Sequence, residues 1–201
     1  MPRRKPSPPA SSNLRRSIAA RAARLMAEDG IDNYALAKRK AARALGASES
    51  ESLPTNDEIE AELRAYQALY QEDEQPERLR EMREVALEVM ELLADFRPYL
   101  TGGVLDGTAG RYSEVEIELF ADSSKDVEIL LLSTNISYEI AESPRQGPDA
   151  PEGRLRIDWD GVPVVLAVFP IQAERQRRRS PHTGKSHARA RASTVAELLS
   201  S

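Results

Sequence analysis

The spacing of apolar residues changes at Pro98, and this change constrains the fold more than any other feature of the sequence. Before Pro98, apolar residues recur every three or four positions, as they do along one face of an α-helix. After Pro98, short segments alternate apolar and polar residues, which is typical of β-strands. Because the two patterns occupy separate parts of the chain, we predict an α+β fold in which helices precede a β-sheet.

Four helices are predicted before Pro98, over residues 13–30, 34–46, 57–71 and 76–96. Asn13, Asp32 or Asn33, and Asn56 are the expected N-caps, because a short polar side chain can accept a hydrogen bond from a free backbone N–H. The helix over residues 76–96 has the richest apolar face, and we expect it to lie against the sheet. Residues 1–12 contain four prolines and several basic residues, and they are predicted to form a disordered basic tail.

Five strands are predicted after Pro98, over residues 99–101, 115–120, 136–140, 155–159 and 162–169. Ser123 or Ser124 caps a short helix between the second and third strands, and Asp160-Gly161 is a hairpin turn signal. A helical turn is expected over residues 194–199. We therefore divide the chain into a helical region (residues 13–75), an α+β core (residues 76–170) and a basic C-terminal segment (residues 171–201).

Composition excludes several classes of function. The chain has 201 residues and no cysteine, so disulfides, thiolate zinc sites and cysteine nucleophiles are excluded. A net charge of -5 argues against a nucleic-acid binder with a uniformly basic surface. No apolar run approaches the roughly 20 residues that span a bilayer, and the N-terminus has no apolar segment typical of a secretion signal. A soluble cytoplasmic protein without membrane association is expected.

The stretch LTGGVLDGTAGRYSEVEIELF, residues 100–120, holds the strongest candidate site. Glu114 and Glu116 lie two residues apart on a predicted strand, so both carboxylates point to one face and can hold a divalent metal. The upstream pair Gly102-Gly103 has no Cβ and allows the backbone to approach a polyphosphate. Alternation of this kind also occurs on any half-exposed strand, and Glu118 extends it, so a solvated strand face is the competing interpretation.

The pattern L-x-G-G-V-x-x-G-T-A-x-x-x-S-E-V-E-I resembles the signature of the nucleotidyltransferase fold superfamily. The resemblance covers roughly residues 77–170 and implies a small mixed β-sheet backed by helices. It implies Mg²⁺ held by Glu114 and Glu116, a nucleoside triphosphate bound at Gly102, Gly103 and Ser113, and transfer of a nucleoside monophosphate to an acceptor. The alternative is a catalytically inactive module of the same fold that binds a partner or nucleic acid.

The superfamily also has a third carboxylate on a later strand, and the corresponding position here is Val165. An apolar side chain cannot bind a metal. Asp158 is the candidate replacement on the preceding strand, and Asp160 is a second candidate that also suits the Asp-Gly turn. Glutamate in place of aspartate moves the ligand oxygens outward by one methylene.

Two basic regions provide further candidates. The segment from Arg175 to Arg191 holds seven lysines and arginines and no acidic residue, and it can attract a nucleoside triphosphate or nucleic acid. A solvated arginine run is the competing interpretation. The first two helices have the outline of a helix-turn-helix, with Lys38, Arg39, Lys40 and Arg43 as its basic residues. A solvated helical hairpin is favoured, because no recognition helix follows at short spacing. His182 and His187 are typical of solvated histidines in a basic segment.

Overall fold

A computed structural model describes residues 10–31, 33–47, 53–70, 74–142, 150–176 and 188–200. These residues form two compact units that divide between residues 72 and 73 of the chain. The predicted tail before residue 10 and both histidines lie outside the described residues. No helix in the described ranges has both the length and the apolar character of a membrane span.

The first unit consists of three helices, α1 (Ala10–Asp29), α2 (Tyr34–Ala44) and α3 (Asn56–Tyr70). Small residues dominate where the helices meet, so their backbones can approach closely. The core of the unit includes Ile18, Ala22, Ala37, Ala41, Ile59 and Leu63. Across this core, Arg15 of α1 donates two parallel hydrogen bonds to Glu58 of α3, from Nε to Oε1 (2.8 Å) and from Nη2 to Oε2 (2.7 Å). This pair joins the first helix to the third.

Of the N-caps predicted for these three helices, two are wrong and one is confirmed. Asn13 lies inside α1, which begins at Ala10, so residues 10–12 belong to a helix and not to the predicted tail. The cap of α3 is Thr55 and not Asn56, because Thr55 Oγ1 accepts a hydrogen bond from the Glu58 backbone N–H (3.2 Å). The Asn33 side chain caps α2 by accepting from the Leu36 N–H (3.0 Å).

The second unit contains a mixed sheet of five strands within the described residues, in the order β1-β2-β5-β4-β3. The strands are β1 (Tyr99–Thr101), β2 (Val115–Ala121), β3 (Tyr138–Ile140), β4 (Gly153–Trp159) and β5 (Val162–Pro170). β2 and β5 are parallel, and the other neighbouring pairs are antiparallel. The hairpin between β4 and β5 turns at Asp160 (φ 51°) and Gly161 (φ 84°), as the Asp-Gly pair predicts.

Helices cover one face of this sheet. They are α4 (Glu74–Leu92), which continues into a 3₁₀ turn (Ala94–Phe96), then α5 (Gly102–Asp106), α6 (Ser124–Ser133) and α7 (Ala192–Ser200). The apolar set of the predicted sheet-packing helix is buried against the strands, with Met82 and Val89 of α4, and Leu93 directly after it, fully buried. Val127 and Leu131 of α6 complete the same core. The predicted α+β class, with helices first and a mixed sheet after them, is confirmed.

The described parts of the C-terminal segment, residues 171–176 and 188–200, belong to this unit. A second 3₁₀ turn (Ile171–Arg175) follows β5 directly. Further along, Ala190 pairs with Leu100 of β1 through two backbone hydrogen bonds, Leu100 N–H to Ala190 O (2.9 Å) and Ala190 N–H to Leu100 O (3.0 Å). α7 then packs against α4 and β1 through Val195, which is fully buried.

Candidate functional site

Strand β2 separates the apolar core from a polar face. Val115, Ile117 and Leu119 point toward the helices and are buried. Glu116 and Glu118 alternate with them and point to the opposite side of the sheet, which we call the polar face. Glu114 continues the same alternation one residue before β2 begins. Glu116 lies on the strand as predicted, and Glu114 lies directly before it.

The strand register shows what lies beside Glu116 on the polar face. Its partner on β1 is Thr101, and its partner on β5 is Val165. Val165 in turn pairs with Arg156 of β4. Arg156 also pairs with Glu139 of β3. Side chains in register point to the same side of a sheet, so between Thr101 and β3 this row contains two carboxylates, one apolar residue that is 3% exposed, and one cation.

Arg156 forms an ion pair with Glu114. Arg156 Nη2 lies 2.6 Å from Glu114 Oε1, and the two side chains are 50% and 30% exposed. Neighbouring strands lie about 4.8 Å apart, so a side chain on β4 that reaches Glu114 must cross β5. One of the two carboxylates predicted to bind a metal is therefore already bound by a guanidinium.

The glycine pair lies at the junction of β1 and α5. Gly102 has a φ of +69°, which side-chain-bearing residues rarely adopt. A Cβ at Gly102 would lie 3.2 Å from Glu116 Cδ, so the glycine also allows the Glu116 carboxyl group to approach the backbone. A Cβ at Gly103 would lie 3.3 Å from the Ala109 nitrogen. The predicted turn is thus the first residues of a short helix, held directly against the acidic strand.

The loop after α5 is attached to α4 through side chains. Gln75 Nε2 donates to both the Gly107 and the Ala109 carbonyl oxygens, each at 3.1 Å. Arg83 Nε donates to the Val104 carbonyl at 3.2 Å. Burial lowers the pKa of Arg83. These bonds satisfy carbonyls at the end of α5 and position the loop.

Ser113 closes the turn that leads into β2. Its Oγ accepts a hydrogen bond from the Gly110 N–H at 3.0 Å, and its own N–H donates to the Gly110 carbonyl at 3.1 Å. The hydroxyl oxygen therefore has a structural partner in the loop. The prediction that Ser113 binds nucleotide is not tested by this contact and stays a prediction.

Asp158 lies on the polar face near the β4–β5 turn. Its Oδ1 accepts a hydrogen bond from the Gly161 N–H at 2.9 Å, which stabilises the hairpin. In the described part of the chain, no three Asp, Glu or His side chains come together as a metal-binding group. The prediction that Asp158 joins Glu114 and Glu116 around Mg²⁺ stays a prediction.

The donor set on the polar face is a poor match for a two-metal centre. Such a centre needs several carboxylate oxygens that converge on both ions. Here Val165 offers no oxygen beside Glu116, and the Arg156 guanidinium binds Glu114 at 2.6 Å. A cation at that distance opposes the binding of a second cation by the same carboxylate.

In the basic segment, residues 177–187 lie outside the described residues, and Arg189 contacts side chains of the sheet. The guanidinium carbon of Arg189 lies 5.0 Å from the centroid of the Tyr99 ring and 5.6 Å from that of Phe120. Arg189 Nη1 lies 3.8 Å from Glu118 Oε2. These distances suit cation–π contacts supported by a carboxylate. Arg189 therefore binds within the protein, and Arg175, at the other end of the segment, is exposed.

Glu174 is the centre of a second ionic network. Its Oε2 lies 2.7 Å from Arg97 Nη1, and its Oε1 accepts a hydrogen bond from Tyr99 OH at 2.8 Å. Arg191 Nη2 donates to the same Tyr99 oxygen at 2.7 Å. The hydrogen bond from Arg97 is the main reason that the pKa of Glu174 is lowered. These four residues line a recess of about 560 Å³ beside Met90 and α7.

The basic residues of α2 give no second site. Arg39, Lys40 and Arg43 are exposed, and Lys38 is partly buried, which lowers its pKa. The helix-turn-helix hypothesis is not tested by these facts.

Sequence reasoning missed Arg156 and Arg189. The alternating segment Arg154-Leu155-Arg156-Ile157-Asp158 already placed Arg156 on one side of a strand. It did not reveal that β5 lies between β4 and β2, so the proximity to Glu114 could not be deduced. The basic run around Arg189 predicts either phosphate binding or solvation, and no local pattern indicates its contact with Tyr99.

Comparisons with known proteins do not assign the chain to a family. No protein-family model matches the chain, and no curated protein matches it.

Proposed function

We propose that the second unit is a nucleotidyltransferase-like module that acts by binding a partner and does not perform metal-dependent nucleotidyl transfer. The observation that carries this proposal is the 2.6 Å ion pair between Arg156 and Glu114. It engages a carboxylate that a transferase of this type needs for metal binding, at a face where the third expected acid is Val165.

The partner class that we favour is nucleic acid. Residues 175–191 hold seven lysines and arginines and no acidic residue, in a chain whose net charge is -5. A local cluster of this kind binds the phosphate backbone through counterion release, and it requires no metal. The Arg189 and Arg191 contacts to Tyr99 attach the end of this segment to β1.

A second candidate is the magnesium-dependent transferase. It is favoured by the closeness of Gly102 to the Glu116 carboxyl group, since a Cβ at Gly102 would lie 3.2 Å from Glu116 Cδ. In this candidate Glu114 and Glu116 bind Mg²⁺, and Gly102, Gly103 and Ser113 contact the triphosphate.

Transfer activity separates the two candidates. The full chain is incubated with each α-labelled nucleoside triphosphate and millimolar Mg²⁺ or Mn²⁺, and label on the protein or on added acceptors is measured. We expect no transfer and no metal-dependent rise in melting temperature with nucleotide. Label transfer that Glu116→Gln abolishes would establish the transferase and refute the binding module.

Nucleic-acid binding is measured with labelled DNA and RNA oligonucleotides over a range of salt concentrations. Replacing Arg177, Arg178 and Arg179 with Gln should weaken binding and reduce the slope of log K against log salt by roughly 2–3 for a duplex. Replacing Arg39, Lys40 and Arg43 is the matched control, since it removes three positive charges from α2. Loss of binding in the control variant alone would move the site to the helical unit.

A further inference from the structure

The Arg156–Glu114 pair is a contact across three strands. The register places Arg156 on β4 beside Val165 of β5, and Val165 beside Glu116 of β2. The guanidinium nevertheless binds Glu114, which lies on the polar face just before β2. The long side chain of Arg156 therefore crosses β5 to reach Glu114.

Charge explains why a cation is needed at this point. Glu114, Glu116 and Glu118 lie on one face at every second position, so their negative charges are close together. Glu118 already has a cation beside it, since Arg189 Nη1 lies 3.8 Å from its Oε2, which leaves Glu114 and Glu116. A carboxylate on β5 would add to this charge, but that position is Val165. Arg156 of β4 instead adds the opposite charge to this row, where it lies between Val165 of β5 and Glu139 of β3.

We infer that Arg156 takes the place of a metal ion, as a built-in cation that neutralises Glu114 and closes the polar face to divalent cations. This inference deepens the proposed function and rests on it, because it explains how a sheet with this acidic strand remains folded without a metal. A guanidinium can donate two parallel hydrogen bonds to a carboxylate, whereas the ammonium group of a lysine acts as a point charge.

Removal of Arg156 should convert the face into a metal site. In Arg156→Gln, Glu114 and Glu116 lose their compensating charge and become available as oxygen ligands. Binding of Mn²⁺ is measured on the full chain by electron paramagnetic resonance and by the metal-dependent shift in melting temperature. We expect Mn²⁺ to bind about tenfold more tightly to Arg156→Gln than to the wild type.

The control is Arg154→Gln, which removes a positive charge from the same strand and face. Arg154 Nη1 donates to the Glu142 carbonyl at 3.2 Å, so this variant leaves the Arg156–Glu114 pair intact. It should bind Mn²⁺ as the wild type does. Adding Glu114→Gln to Arg156→Gln should remove the gained affinity. If Arg156→Gln does not fold, Arg156→Met is measured in its place, because methionine keeps the apolar stem of the side chain.

Two results would overturn the inference. One is Mn²⁺ binding by the wild type that Glu114→Gln abolishes, which can be measured without any Arg156 variant. The other is a folded Arg156→Gln or Arg156→Met protein with no gain in Mn²⁺ affinity. Both readouts use the metal alone, so they are independent of the nucleotidyl transfer and nucleic-acid assays that test the proposed function.

Discussion

Val165 is the direct neighbour of Glu116 on the parallel strand, and its side chain is 3% exposed. Val164, the preceding residue, is fully buried in the apolar core under the helices. The two valines therefore differ in the face they occupy, although both are shielded from water. This difference allows a matched test of the polar face.

Val164→Asp should cost roughly 3–5 kcal/mol of unfolding free energy, because it places an uncompensated charge among apolar side chains. Val165→Asp should cost at least about 1 kcal/mol less, since Arg156 is its register partner and offers a positive charge. Urea denaturation followed by the fluorescence of Trp159, the single tryptophan, measures both. Equal losses would mean that Arg156 does not compensate charge at this row.

Gly102→Ala should destabilise the protein by about 1–2 kcal/mol, because alanine is strained at a φ of +69° and its Cβ would crowd Glu116. Gly161→Ala is the control, since Gly161 has a φ of +84° with no atom within 4 Å of the added Cβ. It should show the backbone strain alone. In a double-mutant cycle, Gly102→Ala should cost less unfolding free energy in a Glu116→Ala background than in the wild type. The difference is the part of the loss due to crowding. Additive effects would show that the carboxyl group moves away freely.

Glu58 should make the helical unit sensitive to acid. The hydrogen bonds from Arg15 are the main reason that the pKa of Glu58 falls to about 2, from an ordinary value of 4.5. A lowered folded-state pKa means that the stabilisation is complete above pH 4.5 and is lost as the pH falls toward 2. Far-UV circular dichroism of thermal unfolding between pH 7 and pH 2 should show this loss.

Glu58→Gln should reduce stability at pH 7 and flatten the pH dependence in this window. Glu62→Gln, on the same helix and outside the pair with Arg15, is the control and should keep the wild-type pH dependence. An unchanged slope in Glu58→Gln would show that this carboxylate does not determine the acid response.

Glu174→Gln should destabilise the second unit by about 1–2 kcal/mol, because Arg97 and Arg191 would keep their charges without a carboxylate. The pKa of Glu174 is lowered, so its contribution is present above the ordinary carboxyl pKa and disappears as the pH falls through the folded-state value. Trp159 fluorescence in urea at pH 7 and pH 3 measures the difference. Glu91→Gln, in the same recess, should have a smaller effect. A larger loss of stability in Glu91→Gln than in Glu174→Gln would mean that Glu91 of α4 is the stabilising carboxylate.

Local features of the sequence predicted the parts of the fold that depend on local physics. β1 was predicted with its observed limits, and β2, β4 and β5 were predicted within a few residues of theirs. The alternation of Glu114 and Glu116 with apolar residues predicted their common face. The Thr55-x-x-Glu58 capping box is a further local signal, and it indicates the observed cap of α3.

The chemistry of the polar face could not be predicted in the same way, because it depends on strand order. Glu114 and Arg156 are joined only because β5 lies between β2 and β4. A pattern within one strand cannot specify its neighbours in the sheet. The same reason explains Arg189, whose contact with Phe120 requires the chain after the sheet to return beside β1.

The pairing of Leu100 with Ala190 has a consequence for the order of folding. Tyr99 and Arg191, the neighbours of this pair, are 92 residues apart in the chain, so β1 meets its last partner only after all other strands exist. The central parallel pair β2–β5 likewise closes a long loop, and such contacts are slow to form. During synthesis, the row that contains Glu116 and Val165 can assemble only after β5 has emerged. We therefore expect the helices of the first unit to be complete before this face exists.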